Sequence, residues 1–225
     1  FKDVLFKGND FIINQDFQSY DMENVLFKIS YPAEFHAQTA VEAAIKLHES
    51  VASKLEIIDK IVIRTQEPAI RIISKVGKLA NAADRDHCIQ YMVAVGLIFG
   101  DLIAEYYEDD FHQENQLIDK LRDKMIIEED NQFSMDYLDP EKRSIANAVQ
   151  VFFNDGTCSD DIQIEYPIGH KKRREEGIPL LEEKFWNNLN TCFDKEKSKL
   201  IYDLCLDQEK LEKTKVHEFM ELFVK

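Results

Sequence analysis

The sequence has little of what marks metal clusters, disulfide scaffolds and membrane proteins. Its four cysteines are scattered, form no C-x-x-C pair and share no spacing. This pattern argues against a zinc ribbon, an iron–sulfur cluster or a disulfide framework, and unpaired thiols fit a reducing cytosol. No apolar run approaches the length of a membrane span, and the first residues do not resemble a signal peptide. These absences predict a cytoplasmic protein that is not inserted in a membrane.

Positively charged residues are also fewer than negatively charged ones. Lys and Arg number 28 against 43 Asp and Glu, which gives the 225-residue chain a net charge of −15. Such a charge repels nucleic acid and anionic membrane surfaces, so we expect neither as a partner. A chain of this length can bury a sizeable core. It starts at Phe1 rather than at methionine, so we expect it to be a piece of a longer protein.

Apolar periodicity predicts a region that mixes strands and helices, followed by a region of helices only. The predicted strands are Ile58–Thr65, 125–127, 143–153 and 161–166. The predicted helices of the mixed region are 37–53, a buried helix through Ile89 to Gly100, and 115–124. The residues Asn154-Asp155-Gly156 between two β-rich runs indicate a hairpin. Asp84 or Asp86 is the predicted N-cap of the buried helix, and Gly100 is its predicted stop signal.

The last part of the chain is predicted to be a helical tail that cannot stand alone. Its predicted helices are 180–189, 194–206 and 215–224. A short tail cannot bury its own apolar stripe, so these side chains need a partner surface. The predicted stripe comprises Leu180, Leu181, Phe185, Leu189, Leu200 and Leu204.

A cation, a phenol and an imidazole surround a proline turn at the start of the first long helix. Pro32 fixes its own φ and keeps Tyr31 out of the helical region, so the residues from Lys28 to Tyr31 should be extended. His36 then falls in the first helical turn, where Lys28 can fold back beside it. An ammonium group near helix N-terminal amides suits a polyanionic ligand. Taken alone, a solvated Lys28 and a capping His36 are the commoner structural alternative.

Four long segments resemble the MmgE/PrpD family of lyases. They are Phe27-Lys-Ile-Ser-Tyr-Pro-Ala-Glu-Phe-His-Ala-Gln38, Leu79-Ala-Asn-Ala-Ala-Asp-Arg-Asp-His-Cys-Ile-Gln-Tyr-Met92, Asp139-Pro-Glu-Lys-Arg-Ser-Ile-Ala-Asn147, and the segment from Glu165 through Leu181. The resemblance covers essentially the whole chain in order, but only the C-terminal half of the family's polypeptide. It therefore agrees with the expectation that this chain is a piece.

The resemblance implies an α+β fold and a domain division. In the family, an all-helical N-terminal domain precedes an α+β lid domain, after which the chain returns to complete the helical domain. We accordingly expect a connector over residues 1–24, a lid over 25–165 and a returning helical tail over 166–225. The lid should contain a mainly antiparallel sheet with flanking helices. The helices that begin near His36 and near Cys88 should lie against that sheet.

The resemblance also implies an activity: dehydration of 2-methylcitrate to 2-methyl-cis-aconitate during propionate breakdown, with citrate as a further substrate. The family uses no cofactor and no iron–sulfur cluster. The implied partners are a tricarboxylate substrate, the N-terminal helical domain and a second copy in a homodimer. Removing water needs a base, an acid and cations that neutralise enolate-like charge. Lys28 and His36 match the family's lid-side Lys and His, which predicts carboxylate binding by Lys28 and binding or proton transfer by His36.

Several further residues are candidates for substrate binding, and some of them have an alternative structural role. Tyr31 either contacts the substrate or packs the turn. Arg85 and His87 precede the buried helix, where an Arg can reach an anion, and Tyr91 lies one turn into that helix, where a buried tyrosine with a satisfied hydroxyl is the alternative. His170 is the first residue of the only concentrated basic run in the sequence. A substrate-binding role and a structural role are equally open for it. We interpret residues 171–174 as a solvated surface.

Two classes of function follow. In the first, the chain is the lid half of a cofactor-free hydro-lyase, with a related tricarboxylate lyase such as a cis-aconitate decarboxylase as the alternative chemistry. In the second, the isolated piece is a binding or oligomerisation module without chemistry. No Ser-His-Asp set, phosphate loop or metal-spaced cluster is apparent in the sequence, so those reaction classes have no support.

Overall fold

The computed structural model describes residues 1–12 and 24–224. The α-helices in these ranges are α1 (Lys2–Leu5), α2 (Gln38–Val51), α3 (Glu67–Ile73), α4 (Ala82–Asp86), α5 (Ile89–Phe99), α6 (Asp109–Glu114), α7 (Leu117–Arg122), α8 (Asn131–Leu138), α9 (Arg174–Cys192), α10 (Lys195–Leu206), α11 (Gln208–Lys213) and α12 (Val216–Glu221). The 3₁₀ turns are Phe35–Ala37, Ala52–Ile57, Ala104–Tyr107 and Lys171–Arg173. The strands are β1 (Ile58–Thr65), β2 (Met125–Glu129), β3 (Asn147–Phe153) and β4 (Ile162–Ile164).

The four strands form one mixed sheet in the order β2-β1-β3-β4. β1 and β3 pair antiparallel, as do β3 and β4, whereas β1 and β2 are parallel, with Ile61 opposite Met125. The predicted α+β class is confirmed, but the predicted mainly antiparallel sheet is wrong. The chain between β1 and β2 crosses over through helices α3 to α7, and a crossover of this length returns a strand in the same direction.

The hairpin and the strand positions agree with the sequence patterns. β1 has the predicted bounds, and β3 and β4 pair across the loop that contains Gly156, whose φ is +83°. β3 begins at Asn147 rather than at residue 143. Arg143 adopts a φ of +45°, a conformation that cannot continue a strand, and this explains the later start.

The core lies where α2 packs on the sheet and on α5. Ala40 and Ala44 of α2 are fully buried, and a Cβ added at Gly96 of α5 would meet the Ala44 Cβ at 3.0 Å. The small residues therefore let the two helices approach closely. The helix that begins near His36 lies against β3 and β4, as predicted, whereas the helix that begins after Cys88 packs on α2 and α7.

The predicted caps of the buried helix are partly wrong. Asn81 caps α4, its side chain accepting from the Asp84 amide, and a separate helix, α5, begins after Cys88. Asp84 instead accepts hydrogen bonds from the Ala80 amide at 2.9 Å and from a lysine ammonium at 3.2 Å. The stop signal is confirmed, because Gly100 ends α5 with a φ of +69°.

The helical tail packs partly on itself and partly on the segment before the proline turn. Leu189 of α9 and Leu204 of α10 are buried where the two helices meet, whereas Leu180 and Leu200 keep 38% and 53% of their surface exposed. α9 starts at Arg174, earlier than predicted, and Pro179 lies within it. The domain boundaries at 25 and 166 stay predictions, and most of the connector expected over 1–24 lies outside the described residues.

Candidate active site

The proline-turn segment folds as its sequence indicates. The residues from Lys28 to Tyr31 form no helix, and the Phe35–Ala37 turn leads directly into α2. Glu34 caps this turn, because its carboxylate accepts a 2.8 Å hydrogen bond from the His36 amide. The capping role considered for His36 therefore belongs to Glu34, which leaves the imidazole of His36 to other partners.

Lys28 and Tyr31 line one open cleft of about 840 Å³. The Lys28 ammonium lies 5.3 Å from the centroid of the Phe35 ring, a cation–π contact beside the cleft. Burial, with smaller contributions from the negative charges of Glu42 and Asp101, raises the pKa of Tyr31 to about 12. Tyr31 is therefore a neutral hydrogen-bond donor at physiological pH, next to an exposed cation.

Lys184 brings a second cation to this cleft. Its ammonium donates to the backbone oxygen of Lys28 at 2.7 Å and to that of Ile29 at 3.3 Å. Asp101 and Glu183 also line the cleft, so its walls carry both signs of charge. Lys184 was not among the residues predicted from the sequence. It lies on a tail helix far away in sequence, with no local motif that could have pointed to it.

His36 lies beside this cleft rather than in its lining, with both ring nitrogens engaged. Nδ1 is 2.8 Å from a carboxylate oxygen of Glu34, and Nε2 is 3.2 Å from the hydroxyl of Tyr137 on α8. Burial alone would raise the pKa of the Glu34 carboxyl, but hydrogen bonds and charge from His36 outweigh it and hold that pKa below its usual value. Tyr137 was not predicted as a partner of His36, because the two residues are 101 positions apart in the sequence.

Arg85 and Tyr91 do not reach the cleft. The Arg85 side chain is 2% exposed, donates to the Tyr107 backbone oxygen at 2.6 Å and pairs with Asp109. The Tyr91 hydroxyl donates to the Tyr106 backbone oxygen at 2.6 Å, and burial raises the Tyr91 pKa to about 12. For Tyr91 this is the structural alternative given above, a buried tyrosine with a satisfied hydroxyl. A substrate-binding role for the two residues stays a prediction with no geometric observation in its favour.

His87 is exposed, and its Nδ1 lies 2.6 Å from a carboxylate oxygen of Asp86. It does not line the cleft, but its positive form is close enough to Glu34 to lower the pKa of that carboxyl slightly. Of the three candidates around the buried helix, His87 is therefore the one whose charge acts on Glu34, the partner of His36.

His170 is buried at the start of the tail and not in the cleft. Its Nδ1 accepts from the Lys172 amide at 3.2 Å, and its ring stacks on Tyr166 with centroids 4.6 Å apart. Burial, aided by the charges of Lys171 and Lys172, lowers the His170 pKa to about 4. A neutral, capping imidazole is the structural role that this geometry supports.

The interpretation of residues 171–174 as solvated is right for Lys171 and Lys172, which are exposed, and wrong for Arg173 and Arg174, which are half-buried. The Arg173 guanidinium pairs with the buried carboxylate of Glu42 at 2.8 Å and with Glu176 at 2.7 Å. The run therefore contributes an ion-pair network that joins the tail to α2.

A family model for the MmgE/PrpD C-terminal domain matches residues 31–208. The chain belongs to the MmgE/PrpD family. It is 52% identical over 227 residues to a 2-methylcitrate dehydratase of Salmonella typhimurium, an alignment that covers 100% of this chain and 47% of that protein. A probable 2-methylcitrate dehydratase of Saccharomyces cerevisiae is 57% identical over 198 residues, covering 86% of this chain and 38% of the yeast protein. The resemblance derived from the four segments is thus confirmed.

The MmgE/PrpD chain spans about half the length of the curated relatives it matches. A mitochondrial 2-methylcitrate dehydratase of Yarrowia lipolytica, 49% identical over 228 residues, shows the same relation, with 43% of its length covered. Within residues 1–12 and 24–224, no helix has the length and apolarity of a membrane span. The same ranges hold no group of three or more His, Cys, Asp or Glu side chains arranged for a metal ion.

Proposed function

We propose that this chain is the C-terminal part of a hydro-lyase that dehydrates 2-methylcitrate to 2-methyl-cis-aconitate and also accepts citrate. The observation that carries the proposal is the similarity over the whole chain to proteins named 2-methylcitrate dehydratase. The open cleft supports it, because Lys28 and Lys184 present ammonium groups of the kind that hold carboxylates. The reaction uses no cofactor in this proposal.

The cations and the histidine take separate tasks in the proposed dehydration. Lys28, with Lys184 behind it, holds a substrate carboxylate and offsets the negative charge that builds up as the α-proton is removed. Tyr31, uncharged at physiological pH, donates a hydrogen bond to the bound anion. His36 transfers a proton, oriented by the ionised Glu34 as a carboxylate orients the imidazole in other proton-transfer sites.

The proposed enzyme also needs residues that this chain does not contain. We propose that the N-terminal helical domain supplies further acid–base groups and closes the cleft, and that the complete protein works as a homodimer. The proposed compartment is the cytoplasm, because the cysteines of this chain are unpaired. In this view the isolated piece is incomplete rather than a binding module in its own right.

The test is turnover by the full-length protein on 2-methylcitrate, citrate and cis-aconitate. The ultraviolet absorbance of the new double bond reports dehydration, and carbon dioxide release reports decarboxylation. We expect dehydration of 2-methylcitrate with the highest kcat/KM, undiminished by dialysis against a chelator. Carbon dioxide release from cis-aconitate without dehydration would favour the decarboxylase alternative. Absence of turnover on all three compounds would favour a non-catalytic module.

A further inference from the structure

The part of the cleft wall that α9 contributes carries an apolar side chain and a cation one helical turn apart. Leu180 and Lys184 both line the cleft, and residues four positions apart on a helix lie on the same face, with Cβ atoms about 5–6 Å apart. The Lys184 ammonium donates to the backbone oxygens of Lys28 and Ile29. Among the contacts of the described residues, this leaves one of its three hydrogens for a ligand. An apolar surface and a fixed positive charge therefore adjoin on one face of α9.

Leu180 is also one of the branched aliphatic side chains of the cleft that a ligand can reach. Of the described residues that line the cleft, Leu180 keeps 38% and Ile103 keeps 39% of its surface exposed, whereas Ile29 and Leu102 are buried. Ile103 lies in the segment after α5, immediately before the Ala104–Tyr107 turn. The apolar surface that the cleft offers to a ligand therefore comes from two elements, α9 and the segment that follows α5.

The substrate proposed above carries a matching pair of groups on a single carbon atom. In 2-methylcitrate, the carbon that loses its α-proton bears both a methyl group and a carboxylate, and citrate has a hydrogen in place of that methyl group. A site that prefers 2-methylcitrate must therefore offer an apolar contact next to a cation. One extra methyl-sized group in an apolar site changes kcat/KM by roughly 10- to 200-fold. The neighbouring side chains of Leu180 and Lys184 fit these two groups.

We propose that Leu180 is a specificity-determining residue that contacts the methyl group of 2-methylcitrate in the cleft, with Ile103 as a second apolar contact. The carboxylate on the same carbon is held by Lys28 and Lys184. The inference rests on the function proposed above and deepens it, because it assigns the discrimination between 2-methylcitrate and citrate to named side chains. Leu180 takes no part in bond making or proton transfer. Its contact is made in the bound substrate and in the transition state alike, so its loss should raise KM more than it lowers kcat.

The first test compares Leu180→Ala with the matched control Leu200→Ala in the full-length protein. Leu200 is an exposed leucine of α10 that does not line the cleft. The readout is the kcat/KM for 2-methylcitrate divided by the kcat/KM for citrate. We expect Leu180→Ala to lower this ratio about 10-fold, mainly through a higher KM for 2-methylcitrate, and Leu200→Ala to keep the native ratio. A ratio in Leu180→Ala within about threefold of the wild-type ratio would overturn the inference.

Two further variants separate the apolar contact from a general effect on packing. Leu180→Met keeps an apolar side chain of similar volume, so it should keep the native substrate ratio. Leu180→Asn has a polar side chain of similar size and should lower the ratio as Leu180→Ala does. Equal ratios in these two variants would overturn the methyl contact alone if the wild type dehydrates 2-methylcitrate. A wild type that dehydrates neither compound would overturn the contact and the proposed function together.

The last test uses 2-ethylcitrate, in which an ethyl group replaces the methyl group, and it predicts a gain rather than a loss. Shortening residue 180 to alanine opens space next to the branch of the substrate. Leu180→Ala should therefore raise the kcat/KM for 2-ethylcitrate relative to that for 2-methylcitrate by about fivefold over the wild-type value. A purely structural role of Leu180 would lower turnover of both compounds alike and leave this ratio unchanged. An unchanged ratio in a folded, active variant would overturn the inference.

Discussion

Lys184 of the tail donates a 2.7 Å hydrogen bond from its ammonium to the backbone oxygen of Lys28, the candidate substrate-binding cation. The same helix places Gly177 against the Ile29 side chain, where an added Cβ would come within 3.2 Å of it. The tail therefore contributes part of the cleft wall together with the proline-turn segment. A domain boundary at residue 166 would therefore separate the proline-turn segment from α9, although both line the same cleft.

The role proposed for Lys28 predicts a large effect on turnover. Lys28→Met removes one charge-assisted contact to a carboxylate, which should cost about 1.5–3 kcal/mol in transition-state binding, or roughly 10- to 150-fold in kcat/KM. Lys120→Met is the matched control, because Lys120 is an exposed lysine on α7, away from the cleft. Steady-state kinetics of both full-length variants on 2-methylcitrate measure the difference. Equal kcat/KM in the two variants would remove Lys28 from the site.

Gly169 should be the glycine that tolerates substitution least. Its φ is +101°, its backbone oxygen accepts from the Phe27 amide at 3.2 Å, and an added Cβ would lie 2.0 Å from the Phe27 backbone oxygen. We expect Gly169→Ala to lower the free energy of unfolding by more than about 4 kcal/mol, because the backbone pairing must break.

The variant Gly156→Ala distinguishes the energetic cost of the close contact at Gly169 from the cost of a left-handed backbone conformation. Gly156 has a similar positive φ of +83°, but no atom lies within 4 Å of its added Cβ. Its alanine variant should lose only about 1–2 kcal/mol, the cost of the left-handed conformation. Urea unfolding of both variants gives the comparison. Equal losses would show that the Phe27–Gly169 contact is not rigid.

Local sequence patterns were sufficient to predict most of the fold. The alternation of β1, the Asp-Gly hairpin and the Gly100 stop each depend on neighbours within a few residues, and each was confirmed. The direction of β2 was not predictable in this way, because a parallel pairing depends on a long crossover. The N-cap error at Asp84 has a similar origin, since the break between α4 and α5 leaves two helices where the pattern indicated one.

The candidate site was predictable only where its residues are close in sequence. Lys28 and Tyr31 share the proline turn, and the structure places both in one cleft. Lys184 and Tyr137 come to the site from distant helices, and neither carries a motif. Arg85 was a plausible anion ligand from its neighbours in sequence, but its buried guanidinium is used by Tyr107 and Asp109. Such long-range partners are visible only after folding.

Removing the hydroxyl group should change the free energy of unfolding in opposite directions at two neighbouring tyrosines. The Tyr107 hydroxyl is buried without a hydrogen-bond partner, and burial raises its pKa, whereas the Tyr91 hydroxyl donates to Tyr106. Tyr107→Phe should therefore raise the free energy of unfolding by about 1 kcal/mol, because it removes an unpaired polar group. Tyr91→Phe should lower it by about 1 kcal/mol. Urea unfolding measures both, and a loss of stability in Tyr107→Phe would contradict the assignment of an unpaired hydroxyl.

The buried, neutral His170 makes stability depend on pH in a defined window. Burial, with the nearby lysines, lowers its pKa to about 4 in the folded chain, against about 6.5 for an unfolded histidine. Between these values the unfolded chain binds more protons, so its contribution is fully present above about pH 6.5 and is lost as the pH falls toward 4. The loss from pH 7 to pH 5 should be about 2 kcal/mol.

Comparison of the wild type with His170→Asn isolates this contribution to stability from that of the carboxyl groups. Asparagine can keep an acceptor for the Lys172 amide, which His170 Nδ1 binds at 3.2 Å, but it cannot gain a proton. Urea unfolding at pH 7, 6 and 5 should therefore show a stability difference between the two proteins that shrinks steadily with falling pH. His217, exposed on α12, provides the control substitution His217→Asn. A difference that is constant from pH 7 to pH 5 would mean that His170 is not held neutral by the fold.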